Sequence, residues 1–270
     1  MATRLEGKSV LVTGGAKGIG LAAAEEFARL RCRLVITDID PAALEEAATR
    51  LRAHGASVST YVVDVADKAQ VDAMAEKVLQ EMGGALDVLV NNAGIGHNAE
   101  LESTSFETWR QLVDVNFWGP LYHVYAFLPS MKARRAGHIV NVSSGQAFFK
   151  LPTWGAYAVT KLAIAGFSEI LGVELKNHGI KVSTVYPFMT ATAFYDGVEA
   201  KTFAAKMSMK LMPYYGDSAE KVGRLIVRTV RRGKKVEMVS LLNDVGFYSQ
   251  FAPPVKGIVS RVGLWIFSGK

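Results

Sequence analysis

Cysteine is almost absent from this chain. Cys32 stands alone among 270 residues, which excludes an internal disulfide and any Cys-x-x-Cys metal site. No metal is expected. Proline is scarce as well, with eight residues, and no linker of biased composition or internal repeat divides the sequence. No uninterrupted apolar stretch approaches the roughly 18 residues of a membrane span. Met1–Lys8 runs into a strand-like segment without the pattern of a signal peptide. These absences lead us to expect a single domain over residues 1–270 in the cytoplasm.

The chain is 50% hydrophobic and 21% charged, enough for a large core and too apolar for a disordered chain. Its net charge of +6 is unevenly spread. Residues 1–200 carry a net −3, while residues 201–270 carry +9, with Arg224, Arg228, Arg231, Arg232, Lys234 and Lys235 close together. Such a basic quarter suits an anionic substrate, a membrane surface or nucleic acid. No nucleic-acid recognition motif accompanies it, so nucleic acid is set aside.

Short β-branched runs alternate with helical patterns. Strands are predicted at Lys8–Thr13, Arg33–Thr37, Ser57–Val63, Leu86–Val90, His138–Ser143, Lys181–Tyr186 and Lys235–Ser240. Helices are predicted at Gly18–Leu30, Pro41–His54 and Asp67–Met82, with a long helical stretch over Phe106–Lys132. Runs such as Val10-Leu11-Val12 are apolar throughout, as expected where helices cover both faces of a strand. The alternation implies an α/β, doubly wound parallel sheet of about seven strands with right-handed crossovers.

The first strand leads into Thr13-Gly14-Gly15-Ala16-Lys17-Gly18-Ile19-Gly20 and then a helix. Glycines there permit a tight turn and close approach of a pyrophosphate, and the helix N-terminus offers it unpaired N–H groups. A dinucleotide site involving Gly14, Lys17, Gly18, Ile19 and Gly20 follows. Asp38, at the end of the second strand, suits the adenosine ribose hydroxyls and repels a 2′-phosphate. Lys17 pulls the other way, towards NADP. Repulsion close to Asp38 is expected to outweigh a flexible lysine, so NAD is favoured and NADP is the alternative.

Three further patterns carry chemistry. Tyr157 and Lys161, four apart, share a helical face, where an ammonium would stabilise a phenolate whose ordinary pKa is about 10. A strand delivers Ser143 and Ser144 to the carboxyl edge of the sheet. Pro120 cannot donate to the carbonyl of Asn116, which frees that oxygen.

Taken in order, Thr13–Gly20, Asp64-Val65, Asn91-Asn92-Ala93-Gly94, Asn116, Ser143-Ser144, Tyr157–Lys161 and Pro187–Thr192 resemble the short-chain dehydrogenase/reductase family over roughly residues 5–240. The resemblance implies a Rossmann-type fold and a catalytic set of Asn116, Ser144, Tyr157 and Lys161, with Ser144 chosen over Ser143 by its register with Tyr157. Asn116 would bind a water linking the lysine to solvent. Asp64 and Val65 would meet adenine. Asn91, Ala93 and Gly94 would lie beside the ribose groups, and Pro187, Thr190 and Thr192 beside the nicotinamide, with Tyr157 and Lys161 also touching the cofactor. Two family glycines are replaced, by Ala147 and Phe188.

The resemblance places a substrate lid over 188–215, rich in Met and aromatic residues, with Phe148, Phe149 and Trp154 extending its wall. The activity implied is oxidoreduction of a hydrophobic secondary alcohol or ketone. A 3-oxoacyl-thioester reductase using NADPH is the alternative within that chemistry. A dinucleotide-sensing module without catalysis would have no need of Ser144, Tyr157 and Lys161. Residues 241–270 add an apolar C-terminal extension, suited to packing within a homodimer or homotetramer or to peripheral membrane contact through Gly257–Phe267.

Overall fold

Each predicted strand forms within two residues of its expected bounds. In chain order they are β1 (Ser9–Thr13), β2 (Arg33–Asp38), β3 (Ser57–Val62), β4 (Val88–Asn91), β5 (Gly137–Val142), β6 (Ile180–Tyr186) and β7 (Val236–Met238). The computed structural model describes residues 3–149, 151–190, 207, 210 and 216–249. All seven strands enter one parallel sheet in the order β3-β2-β1-β4-β5-β6-β7.

Both faces of the sheet are covered, which explains the unbroken apolar runs. Val10 and Val12 of β1 point into one core with α1 (Gly18–Arg29), α2 (Pro41–Arg52) and a basic helix near the C-terminus, Ala219–Arg232. Leu11, between them, points into the opposite core with α3 (Lys68–Glu81) and the helix Gly119–Arg134. Side chains of period two thus feed two separate cores from one strand. The helices begin where capping chemistry says they should. Asp40 Oδ1 accepts from Ala42 N and Ala43 N, each at 3.1 Å, with Pro41 in the first turn. Asp67 caps α3 in the same way.

The stretch Phe106–Lys132, expected as one helix, is divided. It comprises α4 (Phe106–Val113), a π-helical turn over Asp114–Trp118 and α5 (Gly119–Arg134). Pro120 is the physical reason, since its missing N–H and its ring act on the carbonyl four residues back, at Asn116. A short helix α6 (Gln146–Phe149) and the long α7 (Gly155–Glu174) follow β5. α7 is long and apolar enough to cross a membrane by length and composition, but it packs along β5 and β6 with Ala156, Ile164 and Leu171 buried.

The basic helix is α8, and the extension begins with α9 (Leu241–Ser249). Asn243 on α9 donates to Tyr186 O, and Phe247 meets Phe148 edge-on at 5.2 Å. The start of the extension therefore packs on the end of β6. Residues 250–270, the apolar segment Gly257–Phe267 among them, lie outside the described residues, as does most of the 188–215 lid. Thr190 pairs with Asp217 in a single parallel bridge that joins the two ends of the lid region.

α1 and α8 touch backbone to backbone through Gly223, whose added Cβ would stand 2.6 Å from the Ala22 carbonyl carbon. Gly223→Ala is expected to destabilise the fold by about 1–3 kcal/mol through overpacking. Gly172→Ala in α7 places its Cβ at an ordinary 3.6 Å from Val182 Cβ, and is expected to stabilise by up to about 1 kcal/mol through helix propensity. Urea unfolding of both variants checks the pair, and a Gly223→Ala variant no less stable than the parent would overturn the α1–α8 contact.

Candidate active site

The order of the sheet reverses between β1 and β4, so the loops leaving these neighbours part to opposite faces. Thr13, the last residue of β1, ties the gap. Its hydroxyl accepts from Asn92 N and Ala93 N, both at 3.0 Å. Asn92 Nδ2 returns bonds to Thr13 O at 3.0 Å and Gly14 O at 3.2 Å. A cleft of about 870 Å³ opens above, lined by residues from both loops, from the ends of β2, β3 and β5, and from α4 and α7.

Three glycines of the loop, Gly14, Gly15 and Gly20, have little or no room for a side chain. Gly14 has φ +60°, and a Cβ on it would stand 3.0 Å from Ala93 Cα. A Cβ on Gly20 would lie 2.0 Å from Gly14 O. These contacts leave backbone N–H groups at the start of α1 facing the cleft, a fitting cradle for a dinucleotide pyrophosphate. Gly14, Lys17, Gly18, Ile19, Asp38, Asp64, Val65, Ala93, Gly94, Pro187 and Thr190 all line the cleft as expected.

Two expected contacts fall elsewhere. Gly20 does not line the cleft; it lets α1 pack under the loop. Asn91 is buried inside β4, where its Nδ2 donates to Asn141 Oδ1 at 2.8 Å and to Pro120 O at 3.4 Å. Asn141 continues that chain to Ser168 Oγ at 2.8 Å. The residue beside the cleft is Asn92, one position later, where the strand has ended. Thr192 lies outside the described residues.

Charge at the end of β2 is arranged in pairs. Asp38 Oδ2 accepts from Ala16 N at 3.2 Å, so the carboxylate also holds the glycine loop in shape. Lys17 Nζ does not stand free, because it meets Asp40 Oδ2 at 2.7 Å. Ile39, between the two aspartates, is 66% exposed and lines the cleft together with Val65 and Val115. An exposed isoleucine on a cleft wall offers a flat apolar ring something to lie against. The only sequence signal for it was an apolar residue lodged between two acidic ones.

At the other end, β5 carries Ser143 and Ser144 to the cleft. Ser143 Oγ donates to Lys161 O at 2.7 Å and is spent on backbone, whereas Ser144 Oγ accepts from Gln146 N at 3.2 Å and keeps its own proton to offer. Lys161 is buried, with Nζ donating to Val142 O at 3.1 Å and lying 5.7 Å from the centroid of the Tyr157 ring. Burial pushes its pKa down from 10.5 to about 8. Gly94 makes room for this cation, since a Cβ there would stand 3.3 Å from Nζ and 3.0 Å from Asn116 Oδ1.

Asn116 sits behind the cleft. Its Oδ1 accepts from Ile95 N at 2.9 Å, and its Nδ2 donates to Ile95 O at 2.9 Å and Thr160 Oγ1 at 3.1 Å. The side chain thus locks the loop after β4 to α7, a role that sequence reasoning missed. A second clasp was also missed. Thr153, at an unfavourable φ of +67°, is held by Asn98 Nδ2 on its Oγ1 at 2.8 Å and Ala99 N on its carbonyl at 2.7 Å. Phe148, Phe149 and Trp154 do not line the described cleft. They pack on Tyr186, Phe188 and Tyr157 respectively, buttressing it from behind.

Comparison with known proteins agrees with this geometry. The family model for short chain dehydrogenases matches residues 8–202, and the chain belongs to the short-chain dehydrogenase/reductase family. It is an oxidoreductase of that type, in a family that binds nicotinamide dinucleotides. The SadH protein of Mycobacterium tuberculosis is 34% identical over 87% of this chain and 87% of its own. The 17-beta-hydroxysteroid dehydrogenase 13 of Rattus norvegicus is 38% identical over 70% of this chain and 63% of its own length. Among solved structures, a short chain dehydrogenase/reductase from Burkholderia phymatum in complex with NAD has a TM-score of 0.83 at 27% identity, over 93% of this chain and 96% of that one.

A lysine whose pKa is lower folded than unfolded binds fewer protons in the folded state between those two values. Its buried charge therefore costs stability below about pH 8, and the cost fades as pH rises towards 10.5. Lys161→Met removes that cost. Its stability relative to the parent is expected to be highest at pH 7 and to fall by on the order of 2 kcal/mol by pH 10. Urea unfolding across this range tests it, and a difference that stays flat with pH would show that the ammonium is not desolvated.

Proposed function

We propose that this protein interconverts a hydrophobic secondary alcohol and its ketone, with NAD as the favoured cofactor and Tyr157 as general acid and base. The observation that carries the proposal is the buried Lys161 ammonium beside the Tyr157 ring, both lining the cleft that the glycine loop also lines. Gly14, Gly18 and Ile19 would hold the pyrophosphate, Asp38 the adenosine ribose, Asp64 and Val65 the adenine, and Pro187 and Thr190 the nicotinamide end. When bound, the nicotinamide supplies the hydride acceptor or donor at the substrate carbon.

The chain's own residues handle the proton. In the oxidative direction Tyr157, as phenolate, takes the proton of the substrate hydroxyl, and in reduction the phenol returns it to the carbonyl oxygen. Lys161 lowers the cost of the phenolate by its charge. Ser144 Oγ donates to the substrate oxygen and orients it. Asn116 fixes the loop and helix between which Lys161 sits, supporting a proton path to solvent. Apolar lining from Ile95, Val142 and Met189 favours a hydrophobic substrate, as does the likeness to a protein named for 17β-hydroxysteroids. The NAD held by the Burkholderia phymatum structure and the position of Asp38 favour NAD.

Tyr157→Phe is expected to lower kcat about 10²–10⁴-fold on hydrophobic secondary alcohols, a 17β-hydroxysteroid among them, while NAD binding changes little. Steady-state rates and a direct NAD titration check both halves. Near-normal turnover would remove Tyr157 from the reaction.

We also propose that the protein is a homo-oligomer joined through the outer face of α7. Val159, Leu162, Ile170 and Val173 are exposed along it, and Gly166, with nothing within 4 Å of an added Cβ, leaves a notch among them. A ridge broken by a notch complements its own twofold copy. Ile170→Glu with Val173→Glu is expected to halve the mass measured by light scattering, and a parent that is already monomeric would refute the interface. Arg224, Arg228, Arg231 and Arg232 are exposed on α8 and keep the basic surface noted for peripheral membrane contact.

A further inference from the structure

Lys17 and Asp38 oppose one another over the choice between NAD and NADP, and a third charge decides where the lysine is spent. We propose that Asp40, which does not line the cleft, is a specificity-determining residue that withholds Lys17 from the 2′-phosphate of NADP. This rests on the reading that NAD is the favoured cofactor.

The geometry divides the work of one carboxylate between its two oxygens. Oδ1 accepts from Ala42 N and Ala43 N, both at 3.1 Å, and starts α2. Oδ2 accepts from Lys17 Nζ at 2.7 Å. Exposed ion pairs are ordinarily weak, because two mobile side chains must be ordered for a screened attraction. Here one partner is already ordered by the helix cap, so the pair loses less freedom when it forms. Each group's pKa moves as a true pair requires, Lys17 upward and Asp40 downward, in both cases chiefly through their mutual hydrogen bond.

Lys17 is the one cation of the glycine loop, and it lines the cleft together with Asp38. A 2′-phosphate would sit where Asp38 receives the ribose hydroxyl. Binding NADP therefore requires Lys17 to leave Asp40 and requires the phosphate to approach two carboxylates with a single cation between them. Removing the charge of Asp40 releases the cation and deletes one of the two anions. Binding of NAD, which carries no such phosphate, has little stake in either change.

Asp40→Asn separates the two roles, because asparagine caps a helix as well as aspartate does but holds no charge. The experiment titrates NAD and NADP separately into the full chain, as parent, Asp40→Asn, Lys17→Ala and the double variant, at low and high salt. The parent is expected to prefer NAD. Asp40→Asn is expected to tighten NADP by about 3–10-fold at low salt, less at high salt, with NAD changed less than about twofold. In the Lys17→Ala background the same substitution is expected to shift NADP by less than about twofold.

An unshifted NADP to NAD ratio in Asp40→Asn, with the parent preferring NAD, overturns the role of Asp40 and leaves the cofactor reading standing. An equal gain in the Lys17→Ala background also overturns it, since Asp40 would then act by its own charge alone. A parent that binds NADP more tightly overturns the cofactor reading and this inference with it. Circular dichroism checks that α2 persists, and Asp40→Ser, another capping residue without charge, carries the same comparison should the asparagine variant unfold.

Discussion

The reversal of strand order between β1 and β4 is the constraint from which the site follows. Neighbouring parallel strands whose connections run to opposite faces leave a gap at their carboxyl ends that no local hydrogen bonding of the sheet can close. Thr13 and Asn92 close its floor by exchanging side-chain bonds with each other's backbone. At that floor the glycine loop is held close against the loop after β4, which is why a Cβ on Gly14 or Gly20 would meet Ala93, Asn92 or the loop's own backbone. The same crowding that forbids side chains leaves room for a phosphate to meet N–H groups directly.

A second constraint acts at the other end of the cleft, where a full positive charge is buried. Burial of an ammonium is unfavourable unless its protons find acceptors, and Val142 O supplies one. The surroundings of Lys161 are built to keep it there. Ser143 bonds its carbonyl, Gly94 yields it space, and Asn116 fixes the adjoining loop. Among the described residues this cation has no carboxylate partner, so it holds its charge at a cost, and any anion that forms nearby relieves it. The Tyr157 ring stands at that place.

The strands and the first three helices were legible because their causes are local. A parallel strand covered on both faces must be apolar throughout, and a helix must satisfy its first N–H groups, as Asp40 and Asp67 do. Site residues were legible where a backbone need dictates the residue type, as in the glycine loop, or where spacing puts two groups on one face, as with Tyr157 and Lys161. Errors arose where one residue of register decides the outcome. Asn91 ends β4 and points into the sheet, while Asn92 has left it, and nothing in the pair Asn-Asn marks where the strand stops. Phe148, Phe149 and Trp154 are equally apolar whether they line a cleft or support its wall, so hydrophobicity alone could not separate the two. The clasp of Asn98 on Thr153 joins residues 55 apart and has no local signature at all.

Pro120 shows how far one residue's effect reaches. Read along the chain, it removes a single hydrogen bond at Asn116. In three dimensions the missing bond becomes a π-helical turn, which separates α4 from α5 and sets Asn116 against the loop after β4. Pro120 also presents its own carbonyl to Asn91, which in turn bonds Asn141 and through it Ser168 on α7. The break in the helix therefore touches the site by two routes, one through Asn116 to Thr160 and one through the sheet to Ser168, and both end on the helix that carries Tyr157 and Lys161. A continuous helix over 106–134 would place Asn116 in regular α-geometry and offer neither route the same footing. The helical defect is thus part of what holds the candidate acid and base in register, and its position is set by a residue that never approaches the cleft.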